Sequence, residues 1–230
     1  MRRRRQWYVA LTCLVLAGCS GGEQAAEQPA QLLTRAKATL DSASSVHFVI
    51  TSADVPAAGT SLVGGEGSAA RPGKFKGALK VSFAGSAATV EVISVDGLVY
   101  AKLPFAADFA VTDPAQFGFA DPGKFMEPAA GITGLLSKAT DPKSTGQTRI
   151  NGELVQQVTA SIPGAVVKDL LVSADPAKPV AATFSIAEQS GQLRRAVVTG
   201  PFFVKDVAST FTIVLDRYGE QVDISAPSTR

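Results

Sequence analysis

The sequence contains few of the residues from which catalytic and metal-binding sites are usually built. Among its 230 residues are one histidine and two cysteines. His47 alone does not make a zinc site of the ordinary kind, which needs several histidine or cysteine ligands. A Gly-x-Ser-x-Gly nucleophile motif is absent, and the glycine run at 64–67 lacks the strand and helix context of a phosphate-binding loop. The sequence therefore predicts no metal ion, no cofactor and no catalytic residue.

The sequence also lacks an apolar run long enough to cross a membrane. The uncharged segment at 7–16 has about ten residues, whereas a membrane-spanning helix needs about 20. No other stretch approaches that length. We therefore expect no transmembrane helix.

The amino terminus does contain the pattern of a lipoprotein signal peptide. Arginines at 2–5 precede the apolar segment, and the sequence LAGC at 16–19 follows it. A basic region, a short apolar region and small residues before a cleavage site are typical of a secretory signal. A cysteine directly after Leu-Ala-Gly is the lipobox pattern. It predicts that residues 1–18 are a signal peptide and that the Cys19 sulfur carries a diacylglyceryl group. The alternative is an ordinary signal with a chance cysteine.

Lipidation would place the mature chain on the outer face of the plasma membrane, in the cell envelope, because several acyl chains hold a protein stably on a bilayer. It would also exclude a disulfide, since Cys13 leaves with the signal and Cys19 is alkylated. The precursor has 22 basic and 20 acidic residues. Loss of the arginines at 2–5 makes the mature chain slightly acidic, so the sequence predicts no nucleic-acid partner.

The mature chain divides into a tether and one domain. The segment 19–30 begins with the lipidated Cys19. The residues that follow it are small, polar and without periodicity, which predicts a flexible tether. The segment 31–230 is long enough for a single domain with a sizeable core. Hydrophobic spacing predicts a helix over 31–44 and a strand over 46–52. The Gly- and Ala-rich segment 54–73 predicts one poorly defined strand, near 62–68.

Three alternating strands between residues 77 and 103 give the clearest pattern. Asp-Gly at 96–97 is a strong signal for a two-residue hairpin turn. That turn pairs Val92 with Ala101, and it pairs Glu91 with Lys102 on the opposite face of the sheet.

The preceding hairpin is predicted to turn through four residues, 84–87. This register pairs Phe83 with Ala88 and Val81 with Val90. The two turns agree on a single apolar face, which supports both registers. The apolar face comprises Leu79, Val81, Phe83, Ala88, Val90, Val92, Ala101 and Leu103.

The rest of the chain continues as antiparallel hairpins with inserted helices. A Phe-rich loop at 104–128 is followed by predicted helices over 129–139 and 165–171, and Asn-Gly at 151–152 is a second strong turn signal. About ten strands in all indicate an α+β domain, with a curved antiparallel half-barrel and helices on its concave side. The later strands are predicted over 145–150, 153–162, 179–187, 193–200, 207–215 and 220–225.

Several segments, taken in order, resemble one family. They are the lipobox LAGC, the first helix ending in SASSVHF, the hairpin ISVDGLVYAKL, the segment DPAQF, the hairpin TRINGELVQQVTASI and the closing DRYGEQVDISAP. The chain resembles the LppX/LprA/LprF/LprG family of actinobacterial lipoproteins, and most of all its LprG branch. It departs from the family pattern in the segments 54–73 and 105–125.

The resemblance implies a half-barrel with helices packed over an apolar cavity. In this family the cavity takes the acyl chains of triacylated lipids or glycolipids, of the phosphatidylinositol mannoside, lipoarabinomannan or triacylglycerol type. It implies a carrier that moves such lipids from the plasma membrane toward the outer envelope, with a membrane lipid transporter as a candidate partner. The predicted apolar face then supplies the candidate lining residues, which are Leu79, Val81, Phe83, Val90, Val92 and Ala101.

Two other functions remain alternatives at this point. One is an adhesin or scaffold whose domain is fully packed, with the anchor as its only special feature. The other is an envelope enzyme that acts on lipid or glycan. Lipid that stays bound through purification would favour the carrier over the scaffold, and turnover of a labelled lipid would favour the enzyme.

The lipidation site is directly testable. Replacing Cys19 by Ala should release the protein from the membrane fraction and block cleavage of the signal, because the peptidase acts on the lipidated cysteine. Membrane fractionation and palmitate labelling measure both effects. If the Cys19→Ala protein still incorporated labelled palmitate, the assignment would be wrong.

Overall fold

A computed structural model describes residues 27–56, 59–83, 85–117, 119–128 and 130–228 of the chain. The predictions for the signal peptide, for Cys19 and for the tether up to residue 26 lie outside these described residues.

The described residues form eleven strands and three helices. The helices are α1 (Pro29–Ser42), α2 (Gly131–Lys138) and α3 (Gly164–Lys168), and two 3-10 turns occupy Pro114–Phe117 and Pro122–Met126. The strands are β1 (Ser45–Ala53), β2 (Thr60–Ala70), β3 (Lys74–Phe83), β4 (Ser86–Val95), β5 (Leu98–Lys102), β6 (Ala110–Val111), β7 (Thr140–Ile150), β8 (Glu153–Ile162), β9 (Val180–Ala187), β10 (Leu193–Val204) and β11 (Val207–Asp216).

All eleven strands belong to one antiparallel, open and curved sheet. Their order is β6-β5-β4-β3-β2-β1-β11-β10-β9-β8-β7. The helices pack on one side of the sheet, here called the inner face, and share a single apolar core with it. This arrangement confirms the predicted antiparallel half-barrel, which has one strand more than the approximate count expected from the sequence. Among the described residues, no helix is long and apolar enough to span a bilayer.

Helix α1 forms where the apolar spacing predicts it, but it starts two residues earlier. Pro29 occupies its first turn, where the missing N–H is not needed. Leu32, Leu33 and Leu40 are buried on one stripe together with Ala36. The helix therefore covers the inner face through a narrow apolar stripe.

The Gly-rich segment forms a complete strand, so the prediction of a short and poorly defined strand was wrong. Strand β2 is 11 residues long and pairs with β1 on one side and β3 on the other. Its neighbours approach closely, because a Cβ added to Gly65 would lie 2.8 Å from the Ala78 carbonyl oxygen. Pairing on both sides thus outweighs the weak strand propensity of glycine.

The hairpin between β3 and β4 turns through two residues rather than the predicted four. Phe83 pairs with Ser86 and Val81 with Ala88, so the predicted register of this hairpin was wrong by two residues. Gly85 has φ 81°, the backbone conformation that a short hairpin turn requires. A shift of two residues keeps each side chain on its own face of the sheet, so the predicted apolar face is retained.

The register predicted from Asp96-Gly97 is confirmed. Val92 pairs with Ala101 and Glu91 with Lys102. Asp96 and Gly97 have φ values of 53° and 75°, as a tight turn with two left-handed residues requires. The Asn-Gly turn at 151–152 likewise joins β7 to β8.

The predicted strand at 220–225 does not form. Strand β11 already pairs with β10 and β1, so it has no free edge to accept another strand. The tail packs instead on the outer face, where Ile224 is buried beside Ile93, Val95 and Tyr100. Lys74 Nζ donates to the Ile224 carbonyl oxygen at 3.3 Å and helps to hold the tail there.

The residues after β11 are also held by Tyr218. Its hydroxyl donates to the Leu193 carbonyl oxygen at 2.6 Å, and burial raises the pKa of the phenol well above its usual range. The phenol therefore remains a hydrogen-bond donor at any physiological pH.

Replacing Tyr218 by Phe should lower the free energy of unfolding by about 1–2 kcal/mol, because the buried carbonyl of Leu193 loses its side-chain donor. Urea denaturation followed by circular dichroism measures the change. Tyr100→Phe is the control, since no described residue bonds to the Tyr100 hydroxyl. Equal losses in the two variants would mean that the Tyr218 hydrogen bond contributes nothing of its own.

Candidate ligand cavity

A cavity of about 330 Å³ separates part of the inner face from the segments that cover it. Its sheet wall is formed by β1 to β6 with β10 and β11. The opposite wall is formed by the two 3-10 turns, α2 and α3. The lining residues are Ile50, Thr60, Leu62, Phe75, Leu79, Val81, Val90, Val92, Val99, Ala101, Leu103, Ala110, Thr112, Pro114, Phe117, Phe119, Ala120, Asp121, Pro122, Phe125, Leu135, Val167, Leu170, Leu171, Val198, Phe202, Phe211 and Ile213.

The cavity is apolar almost throughout. Its polar lining residues are Thr60, Thr112 and Asp121, whereas the remaining ones are aliphatic, aromatic or proline. A volume in the low hundreds of Å³ with few polar groups is typical of a small-molecule site whose ligand is mainly apolar.

Five of the six cavity candidates from the sequence lie on the cavity wall. They are Leu79, Val81, Val90, Val92 and Ala101. Phe83 is the exception and requires a correction, because it is 68% exposed and does not line the cavity. The short turn explains this position: Phe83 pairs with Ser86 at the very tip of the hairpin, beyond the segments that cover the sheet.

Small side chains on the inner face help to make the space. Gly77 pairs with Val92, which pairs in turn with Ala101, and Ala110 follows on the edge strand. This row crosses four strands with no large side chain. Gly77 itself has no room for one, since a Cβ there would lie 2.6 Å from the Glu66 carbonyl oxygen. The side chains of this row therefore fill little of the space between the sheet and the covering segments.

The covering wall contains site residues that the sequence analysis did not assign. Phe117, Phe119 and Phe125 come from the Phe-rich segment, and their side chains line the cavity. The density of aromatic residues in that segment is the only sequence signal for them. Phe125 also lies 5.1 Å from the ring of Phe48, which fixes the second 3-10 turn to the sheet.

Asp121 anchors the same covering segment and lines the cavity at its border. Its Oδ1 accepts hydrogen bonds from Ser94 Oγ at 2.7 Å and from the Gly123 backbone N–H at 2.8 Å. These bonds join the 3-10 turn to β4. The carboxylate is thereby held in place at the border of an apolar cavity.

A second and more polar pocket adjoins the cavity at Asp121. The two share Thr112, Asp121 and several apolar residues, and the second pocket adds the exposed side chains of Asp113 and Lys124. Its volume is about 370 Å³. An apolar compartment thus continues into a compartment that carries charge.

The exposed lining residues mark where the cavity reaches solvent. Leu103 is 55% exposed and Phe117 is 46% exposed, and the small residue Ala110 between them is also exposed. Ala110 belongs to β6, the short edge strand, while Leu103 follows β5 and Phe117 ends the first 3-10 turn after β6. The mouth of the cavity therefore follows this edge of the sheet.

The single histidine of the sequence lies away from the cavity. His47 Nδ1 is 2.6 Å from Asp216 Oδ1, across the β1–β11 pair on the outer face. Within the part of the chain that the structure describes, no three His, Cys, Asp or Glu residues lie close enough to hold a metal ion.

The fold and the cavity together define a class of protein, an open antiparallel half-barrel with an apolar ligand cavity beneath short covering helices. The model of the LppX_LprAFG lipoproteins matches residues 28–224. This chain belongs to the LppX_LprAFG lipoprotein family.

Two solved structures show the same fold. LprF from Mycobacterium bovis superposes with a TM-score of 0.70 at 19% sequence identity, covering 87% of this chain and 97% of LprF. LppX from Mycobacterium tuberculosis gives a TM-score of 0.60 at 18% identity, covering 85% of this chain and 97% of LppX. A search of curated protein sequences found no match.

The open space beside Val81 predicts an unusual tolerance to large side chains. Val81→Trp should change the free energy of unfolding by less than about 1 kcal/mol, because the indole enters the cavity. Val158→Trp is the control: its side chain is fully buried and does not line the cavity, so overpacking should cost about 1–3 kcal/mol or more. Urea denaturation measures both, and similar large losses would contradict an open cavity.

Proposed function

We propose that this protein is a lipid-anchored carrier that holds the acyl chains of a lipid or glycolipid in its cavity. The observation that carries the proposal is the apolar cavity itself, whose wall is built from six phenylalanines and many aliphatic side chains. Membership of a lipoprotein family and the shared fold with LprF and LppX support it.

The energetics of lipid extraction require such a cavity. Each methylene that leaves a bilayer for water costs about 0.8 kcal/mol, so a free acyl chain in water is strongly disfavoured. The side chains of Leu79, Val81 and Phe119 offer an apolar environment in place of the bilayer. The transfer needs no covalent step, which agrees with the lack of a recognisable catalytic motif in the sequence.

We further propose that the polar pocket receives the head group. Asp113, Asp121 and Lys124 provide two carboxylates and one ammonium group beside the mouth. Carboxylates accept hydrogen bonds from hydroxyl groups, and two of them disfavour an anionic phosphate in direct contact. This charge pattern favours a hydroxylated head group, as a triacylated glycolipid carries.

In the cell, the proposed anchor at Cys19 would keep the carrier at the outer face of the plasma membrane, where its lipid is available. Ligands of the triacylated class, delivered toward the outer envelope, fit this location. A membrane lipid transporter remains the candidate partner that would load the cavity.

Bound lipid provides the test. The purified protein, produced without its anchor, should retain lipid that native mass spectrometry detects. Val81→Trp should lose most of that lipid, because the indole occupies the space of an acyl chain. Glu91→Ala serves as the control, since Glu91 is exposed on the outer face opposite Lys102 and should leave the lipid content unchanged.

An empty wild-type protein that is also destabilised by Val81→Trp would favour a packed scaffold. Full lipid content in Val81→Trp would place the acyl chains elsewhere. Turnover of the bound lipid during incubation would instead indicate an enzyme.

A further inference from the structure

The chain after β11 crosses the outer face of the sheet in an extended form. Residues 217–228, here called the tail, belong to no helix and to no strand. Val222 and Ile224 pack against the sheet, whereas Gln221 and Asp223 are exposed. This alternation is that of an extended chain with one side covered.

The near end of the tail is fixed by hydrogen bonds to two strands. The Tyr218 hydroxyl donates to the Leu193 carbonyl oxygen of β10 at 2.6 Å. The Gly219 N–H donates to the Ser45 carbonyl oxygen of β1 at 2.9 Å, and the Ser45 hydroxyl donates in turn to the Glu220 carbonyl oxygen. The tail therefore starts from a firm attachment near the middle of the sheet.

The far end of the tail is held mainly by apolar packing. Ile224 is buried, and Lys74 Nζ donates to its carbonyl oxygen at 3.3 Å. The apolar contacts form a small core on the outer face, here called the outer cluster. It comprises Ile93, Val95, Tyr100 and Ile224, with Ala70, Phe109 and Val222 packed against it.

The outer cluster lies directly behind the cavity wall. Side chains alternate between the two faces along β4 and β5. Val92 and Ala101 line the cavity on the inner face. Their neighbours Ile93 and Tyr100 belong to the outer cluster. The tail thus rests on the same two strands that form part of the cavity wall.

Phe109 connects the outer cluster to the mouth of the cavity. The next residue, Ala110, lines the cavity at the mouth, and residues 103–108 before it are all exposed. Strand β6 has two residue pairs with β5, and the Thr112 N–H donates to the Val99 carbonyl oxygen at 2.8 Å. Because this pairing is so short, the packing of Phe109 is a large part of what holds the edge in place.

We propose that the tail is a strap that sets how often the mouth of the cavity opens, an inference that rests on the proposed carrier function. While the far end is bound, Phe109 stays on the outer cluster and β6 stays on β5. When Ile224 leaves the cluster, the burial that holds Phe109 is reduced and the short edge can move outward. The near end remains attached, so the far end can rebind and close the mouth.

A strap of this kind changes rates rather than affinity. No residue of the tail lines the cavity, so weakening the strap should leave the affinity for an apolar ligand nearly unchanged. Entry and exit both pass through the open form, which is a minor population while the strap is bound. Both rates should therefore rise together when the strap is weakened. A purely structural role would lower stability without this joint change.

The test uses residues 19–230 with Cys19→Ser, delipidated, and the fluorescent fatty acid cis-parinaric acid as the probe. Stopped-flow fluorescence measures its association and dissociation rates. Ile224→Ser should raise both rates roughly tenfold, because a buried aliphatic side chain no longer holds the closed form. The Kd should change by less than about twofold, since the two rates change together. Hydrogen exchange measured by mass spectrometry should become faster in peptides that cover residues 103–112.

Two further variants approach the same contact. Val222→Ser removes a half-buried side chain of the tail and should accelerate exchange of the probe to a smaller extent, so the test stands even if Ile224→Ser does not fold. Phe109→Ser weakens the contact from the side of the mouth. Combining it with Ile224→Ser should add little further acceleration, because both changes disrupt one cluster.

Val158→Ala is the matched control. Its side chain is fully buried on β8 and belongs neither to the cavity lining nor to the outer cluster. The variant should lower the stability of the domain and leave both rates of the probe unchanged.

The outcomes separate the strap from the proposed function. Binding of the probe with unchanged rates in Ile224→Ser and Val222→Ser overturns the strap alone, and so does an equal acceleration by Val158→Ala. Faster rates without faster hydrogen exchange at residues 103–112 overturn the opening at this edge. A wild-type protein that does not bind cis-parinaric acid overturns the carrier function and the strap with it.

Discussion

The fold depends on one constraint, which is that the apolar inner face of an open eleven-stranded sheet must be covered. The three helices have 14, 8 and 5 residues, too few to cover it from edge to edge. No residue of β7 to β9 lines the cavity, and the inner face there is covered by packed helices. Around β2 to β6 the cover is mainly the Phe-rich segment with its two 3-10 turns, which stands above a floor of small residues. The cavity is the part of the inner face that the chain does not fill.

Local turn chemistry explains which parts of this architecture the sequence predicts. Asp96-Gly97 predicts the β4–β5 register from local sequence alone, and the five candidates that line the cavity follow from it and from face parity. Ala-Gly-Ser-Ala at 84–87 contains no comparable signal, so two turn lengths were compatible with the same face. Phe83 flanks the turn in either register, so it was assigned to the cavity by face parity alone, which does not show how far the cavity extends along the strand.

Local sequence patterns could not predict features that depend on pairing between distant parts of the chain. Strand β2 is long because it pairs with both β1 and β3, whose backbones lie close to its glycines. The segment 220–225 stays irregular because β1 already pairs with the edge of β11 that this segment would need. The covering phenylalanines have no periodicity, since 3-10 turns follow neither the strand nor the helix spacing. The sequence therefore identified five residues of the sheet wall, on β3 to β5, and none of the opposite wall.

The position of the mouth beside β6 would give the proposed carrier a physical route for an amphiphile. A two-residue edge strand leaves a side opening rather than a closed pore, and the polar pocket adjoins it. A lipid that moves along this edge can slide its acyl chains into the cavity while its head group stays in water. Neither part then crosses an environment of the wrong polarity, which would cost several kcal/mol for a polar head group moved through an apolar cavity. The same short edge also offers little backbone for unwanted strand pairing between copies.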